Sequence, residues 1–307
     1  MKPLPRLIVS SVVRGSRQGD SHGGLYLVDV AAGGYEQVLD WNTCDIDWEG
    51  RGADRGLRGI AFHDGHIFVA ASDELFLFDQ RFKPVTSWRN PYLKHCHEIC
   101  VFGGHLYLTS TGFDSLLRFD LATRRFDTAI HVFPNGTALG ARVYDPESDG
   151  GPAAGISFHI NNVHVDPTGI HFSGRHLSAL MRLSSKGLAA IARLPRGTHN
   201  ARPFRDGILF NNTEADTVEY VTPLRRTAIP VPRHDEALLT NTQMDETGLA
   251  RQAFGRGLCV LDETHVAAGS SPTTVAVHDL AGQRITHQVT MTRDVRNAAH
   301  GLAVWPF

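Results

Sequence analysis

Short apolar runs, or apolar residues at every second position, follow one another along the whole chain, broken by Gly, Asp, Asn and Pro. An apolar spacing of three and four is nowhere sustained, so the pattern predicts strands and almost no helix. Residues 67–71 and 74–79 read as two strands about a tight turn. Residues 106–110 with 116–120 repeat the pair, and 24–29 and 275–280 carry the same pattern.

The pattern recurs as a unit, which calls for a repeat architecture. A polar residue, often followed by Gly, opens an apolar strand, and further strands and turns follow. Six such starts occur: Arg58-Gly59-Ile60, His97-Glu98-Ile99, Asn161-Asn162-Val163, His199-Asn200-Ala201, Arg256-Gly257-Leu258 and His300-Gly301-Leu302. They stand 39, 64, 38, 57 and 44 residues apart along the numbering, against about 40 for a four-stranded propeller blade. The two long gaps hold Gly/Pro-rich or polar insertions at 134–155 and 223–255, read as loops that cover a pocket or mediate assembly. Only one strand follows His300, whereas 7–13, 24–29 and 35–39 are strand-like and precede the first start. The expectation is an all-β, six-bladed β-propeller forming one domain over 1–307, with N- and C-terminal strands sharing the closing blade.

In such a fold the first strand of each blade lines a central channel, so residues at the same register form a ring. Here the ring reads Arg58, His97, Asn161, His199, Arg256 and His300, with no apolar member. Buried polar groups are costly unless paired, so the ring predicts a polar pocket. Its histidines fall on alternate blades. Three imidazoles with an open side are the donor set of a catalytic zinc site, or of iron or copper. His97, His199 and His300 are therefore the candidate ligands of one divalent metal. The alternative is a metal-free pocket in which they hydrogen-bond a ligand. His159 is a candidate fourth ligand or proton shuttle, and Glu98 a candidate general base. Arg58 and Arg256 need anionic partners: either a substrate carboxylate or phosphate, or Asp45, Asp47, Glu49 and Asp54 within the chain. Asn161 and Asn200 are candidate substrate contacts. His63, His66, His105, His171, His176, His278 and His287 read as surface residues. Residues 41–58, with two tryptophans among acids and arginines, read as a lid or a connecting loop.

Lys+Arg is 30 against Asp+Glu 32, a net charge of −2, which offers nothing to draw the chain onto nucleic acid or an anionic membrane. The apolar run at 7–13 is too short for a signal-peptide core or a membrane span. Cys44, Cys96, Cys100 and Cys259 read as free thiols in a reducing cytoplasm.

The blades and ring resemble the six-bladed propellers that include gluconolactonases, strictosidine-synthase-like proteins and peptidyl-hydroxyglycine lyases. The chain is most similar to an uncharacterised bacterial family of propeller proteins. The resemblance is carried by Trp48-Glu49-Gly50-Arg51-Gly52, by Gly104-His105-Leu106-Tyr107-Leu108-Thr109-Ser110 with Asp114-Ser115-Leu116-Leu117, and by His199-Asn200-Ala201-Arg202-Pro203 with Asn211-Asn212-Thr213. Resemblance to the lyases implies an axial metal, onto whose three histidines His97, His199 and His300 map. Those lyases are secreted and disulfide-bonded, and this chain reads as cytoplasmic. The acidic and amide ligands of gluconolactonases are matched only by Asn161 and Glu98. The functional expectation is a metal-dependent enzyme acting on a small anionic molecule by lyase, isomerase or hydrolase chemistry, or by oxygen chemistry with iron or copper. A non-catalytic ligand- or protein-binding propeller is the rival.

Overall fold

A computed structural model of the chain describes residues 3–17, 19–42, 56–243 and 250–307. Cys44, Asp45, Asp47, Glu49, Asp54, the Trp48 motif and most of the segment read as a lid lie outside the described residues. The chain is a six-bladed β-propeller: six antiparallel sheets, with only two one-turn 3-10 helices among the described residues. It falls into two compact units, Ile60–Arg202 and Met1–Gly59 with Pro203–Phe307.

In the unit Ile60–Arg202 the first sheet runs β4 (Ile60–His63), β5 (His66–Ala71), β6 (Glu74–Phe78), β7 (Pro84–Arg89). The second runs β8 (Ile99–Phe102), β9 (His105–Ser110), β10 (Ser115–Asp120), β11 (Arg125–Asn135), β12 (Ala138–Tyr144), and the third β13 (Ile160–Asp166), β14 (Gly169–Gly174), β15 (Leu177–Ser184), β16 (Gly187–Arg193). Strands β5 and β6 are buried along nearly their whole length, whereas β7 is largely exposed. Inner strands covered on both faces read as apolar runs, and the outer strand meets water along most of its length. The core holds Leu75, Leu77, Leu106, Leu108, Leu117 and Phe119. The Phe119 ring lies 4.9 Å from Trp88 and 5.1 Å from Phe126, a packing worth about 3–5 kcal/mol against truncation to Ala.

Strand β17 (Thr198–Phe204), in which the unit boundary falls, opens a sheet continued by β18 (Gly207–Asn212), β19 (Thr217–Val221) and β20 (Arg226–Pro230). The other sheets of this second unit are β21 (Leu258–Val260), β22 (His265–Ser270), β23 (Thr274–Asp279), β24 (Arg284–Thr290), and a closing sheet in the order β25 (Asn297–Val304), β1 (Leu7–Val13), β2 (Gly24–Asp29), β3 (Gly34–Asp40). The N-terminal strand thus lies between the C-terminal strand and β2, with Leu7 opposite both Val304 and Val28, as the sequence predicts.

The structure differs from the sequence reading in two respects. The insertions are not simply loops. Much of the first is the hairpin β11–β12, closed where Asn135 pairs Ala138 and Gly136, the first of the two turn residues, takes a left-handed φ of +62°, the position at which a type II′ hairpin turn calls for glycine. The second holds β20, whose Thr227 and Ile229 are buried between exposed neighbours. Nor are all the outlying histidines on the surface. His171 and His278 are buried, because they sit in β14 and β23, inner strands of their sheets. His171 Nε2 meets Asp166 Oδ1 at 3.2 Å and Thr168 Oγ1 at 3.0 Å. Both His278 ring nitrogens lack hydrogen-bond partners, and burial pushes its pKa down to about 4, so the ring is neutral at pH 7.

Candidate functional site

Within Ile60–Arg202 the polar residues of the repeat starts gather at the leading ends of β8, β13 and β17. His97 and Glu98 precede β8, and the buried Thr109 on β9 fixes both: its Oγ1 accepts their backbone N–H groups at 2.9 and 3.1 Å. His97 is buried and Glu98 half-buried. The Asn200 amide donates to Glu98 Oε2, with Asn200 held at a left-handed φ of +55° that Asn tolerates better than most residues. Burial of the carboxyl pushes the Glu98 pKa up to about 7, against the Arg202 guanidinium and the Asn200 amide, which both pull it down. Although the residue keeps some exposed surface, the protein packed about its carboxylate decides the direction.

The His97 ring lies 5.4 Å from that of His159, which lies 5.9 Å from the exposed His176. His159 has a φ of +54°. The buried Asp114 holds it there by accepting the backbone N–H groups of Ser157, Phe158 and Ile160. The Asn161 amide donates to Thr198 O at 3.2 Å, while its Oδ1 is buried without a hydrogen-bond partner. His199 Nδ1–H donates to Gly197 O at 2.9 Å, so the ring carries its lone pair on Nε2. This is the tautomer that metal-ligating histidines adopt. His97, Glu98, His159 and His199, however, do not bring three ligand atoms within 4.8 Å of one another.

The second unit contains Arg58, Arg256 and His300. Ser10 Oγ donates to the Arg58 carbonyl and accepts the Gly301 N–H at 2.8 Å, tying the backbones of two repeat starts together. Gly257, at φ +76°, lies against His300: a Cβ there would stand 3.0 Å from the His300 carbonyl. The approach brings Arg256 Nη1 to 2.9 Å from His300 Nε2. A guanidinium can only donate, so Nε2 is the acceptor and the imidazole is neutral with its proton on Nδ1. Three guanidinium groups surround the buried Phe254 ring, those of Arg256, Arg14 and Arg251 at 4.9, 5.2 and 5.3 Å from its centroid. Arg251 also pairs with Asp216 at 2.7 Å. The Arg58 side chain is fully buried.

No family model matches the sequence, and no curated protein matches it. Solved structures do. The chain is similar to one from the nidogen/laminin complex (TM-score 0.60, 11% identity, covering 97% of each chain). It is similar to a protein of unknown function from Bacteroides caccae (TM-score 0.57, 11% identity, covering 97% of this chain and 98% of that one). A catalytically inactive virginiamycin B lyase from Staphylococcus aureus matches at TM-score 0.48 and 12% identity, over 78% of this chain and 71% of the other. At such identities the likeness concerns the fold alone.

The predicted residues are thus distributed as follows. Glu98 and Asn200 are in contact, His97 and His159 are ring neighbours, and Asn161 bonds the residue before His199. Arg256 and His300 are bonded in the other unit. Arg202 and Asp114 were missed as site residues. Arg202 stood in a quoted motif without a role, and only its place two residues after Asn200 could have drawn attention to it.

Proposed function

We propose that the protein is an enzyme that moves a proton on a small anionic molecule, with Glu98 as the acid or base. The observation that carries this reading is the Glu98 carboxyl, lifted to about 7 beside His97, Asn200 and Arg202. A carboxyl at that value exchanges its proton at neutral pH, which general acid–base catalysis requires. Arg202 supplies the positive charge that favours an anion, and Asn161 Oδ1 an acceptor for a substrate hydroxyl or amide. His159 and His176 continue the ring series toward solvent. Abstraction of a proton beside a carbonyl, in an isomerase or lyase, suits this set best. In the other unit, Arg58 and Arg256 are cations suited to an anionic group.

A divalent metal, whether zinc, iron or copper, enters the proposal through its donors. His199 has the required tautomer, whereas His300 would first have to lose its Arg256 hydrogen bond. When bound, such an ion polarises a carbonyl or activates water. The reading is of a cytoplasmic protein, since Cys96, Cys100 and Cys259 are free thiols. Among the described residues no helix is long and apolar enough to cross a membrane.

The test is turnover of a panel of small carboxylates and phosphates by wild type and Glu98→Gln, with metal content measured on both. Loss of turnover by about 100-fold or more in the variant, with binding retained, is expected. Turnover unchanged in Glu98→Gln overturns the assignment. Saturable binding without turnover in either protein favours a non-catalytic binding propeller.

A further inference from the structure

A second cluster of chemistry-bearing side chains lies apart from the candidate site, on the outward-facing side of β9, β10 and β11. His105 opens β9, and its cross-strand partner is Asp120 at the end of β10. The β10–β11 register slips between Arg118 and Phe119, so that Phe119 pairs Phe126 and Arg118 pairs Thr128. Asp127 is the extra residue of that bulge, and its carboxylate joins Arg118, Asp120 and His105 on one face. Bulges commonly re-aim a side chain in this way. His105 Nε2 stands 3.6 Å from Asp120 Oδ2 and 3.9 Å from Asp127 Oδ2. Among the described residues this is the one trio of His, Cys, Asp or Glu side chains whose ligand atoms all lie within 4.8 Å of one another.

Groups outside the trio fix the orientation of each member. His105 Nδ1–H donates to Gly103 O at 2.9 Å, which leaves the lone pair on Nε2, facing the carboxylates. Asp120 turns Oδ1 to the backbone N–H groups of Ala122 and Thr123 at 2.9 and 2.7 Å, leaving Oδ2 toward His105. The Thr123 amide is the chief reason its carboxyl lies below the ordinary range. Asp127 is held by the Arg118 fork, Nε on Oδ1 and Nη2 on Oδ2, both at 2.9 Å. Arg118 offsets the charge of Asp127 from one side, but the lone pair and the two carboxylate oxygens still face one another, and a cation between them would relieve their repulsion. That cation is either a second proton on His105 or a metal ion. Ligand atoms at about 2.0–2.1 Å from a tetrahedral zinc are about 3.3 Å apart, so the 3.6 and 3.9 Å separations of His105 Nε2 from the two carboxylates would shorten by roughly 0.3 and 0.6 Å on binding. One nitrogen with two carboxylates selects a zinc-class ion over magnesium or calcium, which prefer all-oxygen sets.

We infer that His105, Asp120 and Asp127 form a binding site for a zinc-class divalent ion, with one coordination position open to solvent. The site is independent of the proposed reaction. The experiment is titration of zinc chloride into the full chain at pH 7.5, followed by calorimetry and by the imidazole NMR signals. It is run on wild type, on His105→Ala and on Asp120→Asn, each also in a His97→Ala/His199→Ala background. One equivalent of zinc that survives in that background, shifts the His105 ring signals and weakens at least tenfold in either single variant is the expected result. Zinc uptake unaffected by both variants overturns the inference. So does a His105 ring that titrates with pH but does not respond to zinc, which would make the cation a proton only. Circular dichroism confirms that each variant is folded.

Discussion

The repeat starts carry one kind of residue, a polar side chain before a strand, yet the two units put it to different uses. In Ile60–Arg202 the start before β8 holds a carboxyl whose charge is set by its surroundings: burial raises it, while Arg202 and Asn200 oppose the rise. In the other unit the starts hold Arg58 and Arg256, which stay charged at any physiological pH, and the one titratable ring, His300, is fixed as an acceptor by Arg256. At the repeat starts, the first region answers to pH through Glu98, whereas the second presents fixed cations. Register in a repeat specifies where a side chain stands, and the neighbouring blade decides what it can do.

The largest effect that would break this contrast is in stability against pH. Glu98 has a folded value of about 7 against an ordinary 4.5. The folded chain therefore binds more protons than the unfolded one between these values. The stability linked to this proton is full below pH 4.5 and is lost as pH rises through 7, at up to about 1.4 kcal/mol per pH unit. His164 and His278 act oppositely. Burial lowers both to about 4 from 6.5, so their contribution is lost as pH falls from 6.5 toward 4. Subtracting the denaturation curves of Glu98→Gln from those of wild type isolates the first effect. A difference that stays flat between pH 5 and 7 would mean that Glu98 titrates normally.

A smaller effect sharpens the same point. Removing the opposing cation in Arg202→Met should raise the Glu98 value by about one further unit, read from its carboxyl carbon signal. Asn200→Ala should move it in the same direction by less, and a fall in either variant contradicts the arrangement. Smallest is the change in the second unit. With Arg256→Met the His300 ring is free to protonate Nε2, at a cost of about 1 kcal/mol in stability for the lost hydrogen bond. Nitrogen NMR of wild type should show the Nδ1–H tautomer alone; an Nε2–H ring there would refute the acceptor assignment.

Much of the fold was legible because strand period and turn chemistry are local. The six starts and the paired strands rest on residues within a few positions of one another, and the closure through 7–13 followed from counting strands at the two ends of the repeat. The site was legible in part. Glu98, Asn200, His97 and His159 could be named from register, but their pairings join blades more than sixty residues apart in sequence. Arg202 gains meaning only once β17 lies near β8. Asp114 acts through three backbone amides over forty positions away, which no side-chain motif announces. His278 follows Val275-Ala276-Val277, and that apolar run was the signal that it lay inside.

The closing sheet has a consequence for biosynthesis. Strand β1 is made long before its partner β25, and every other strand of the ring is made between them. Until β25 is made, β1 has β2 on one side and an open edge from Leu7 to Val13 on the other, exposed to whatever else can add a strand. A chain cut short before β25 would keep that edge permanently, and its fate would be capture by chaperones or proteolysis rather than slightly lower stability.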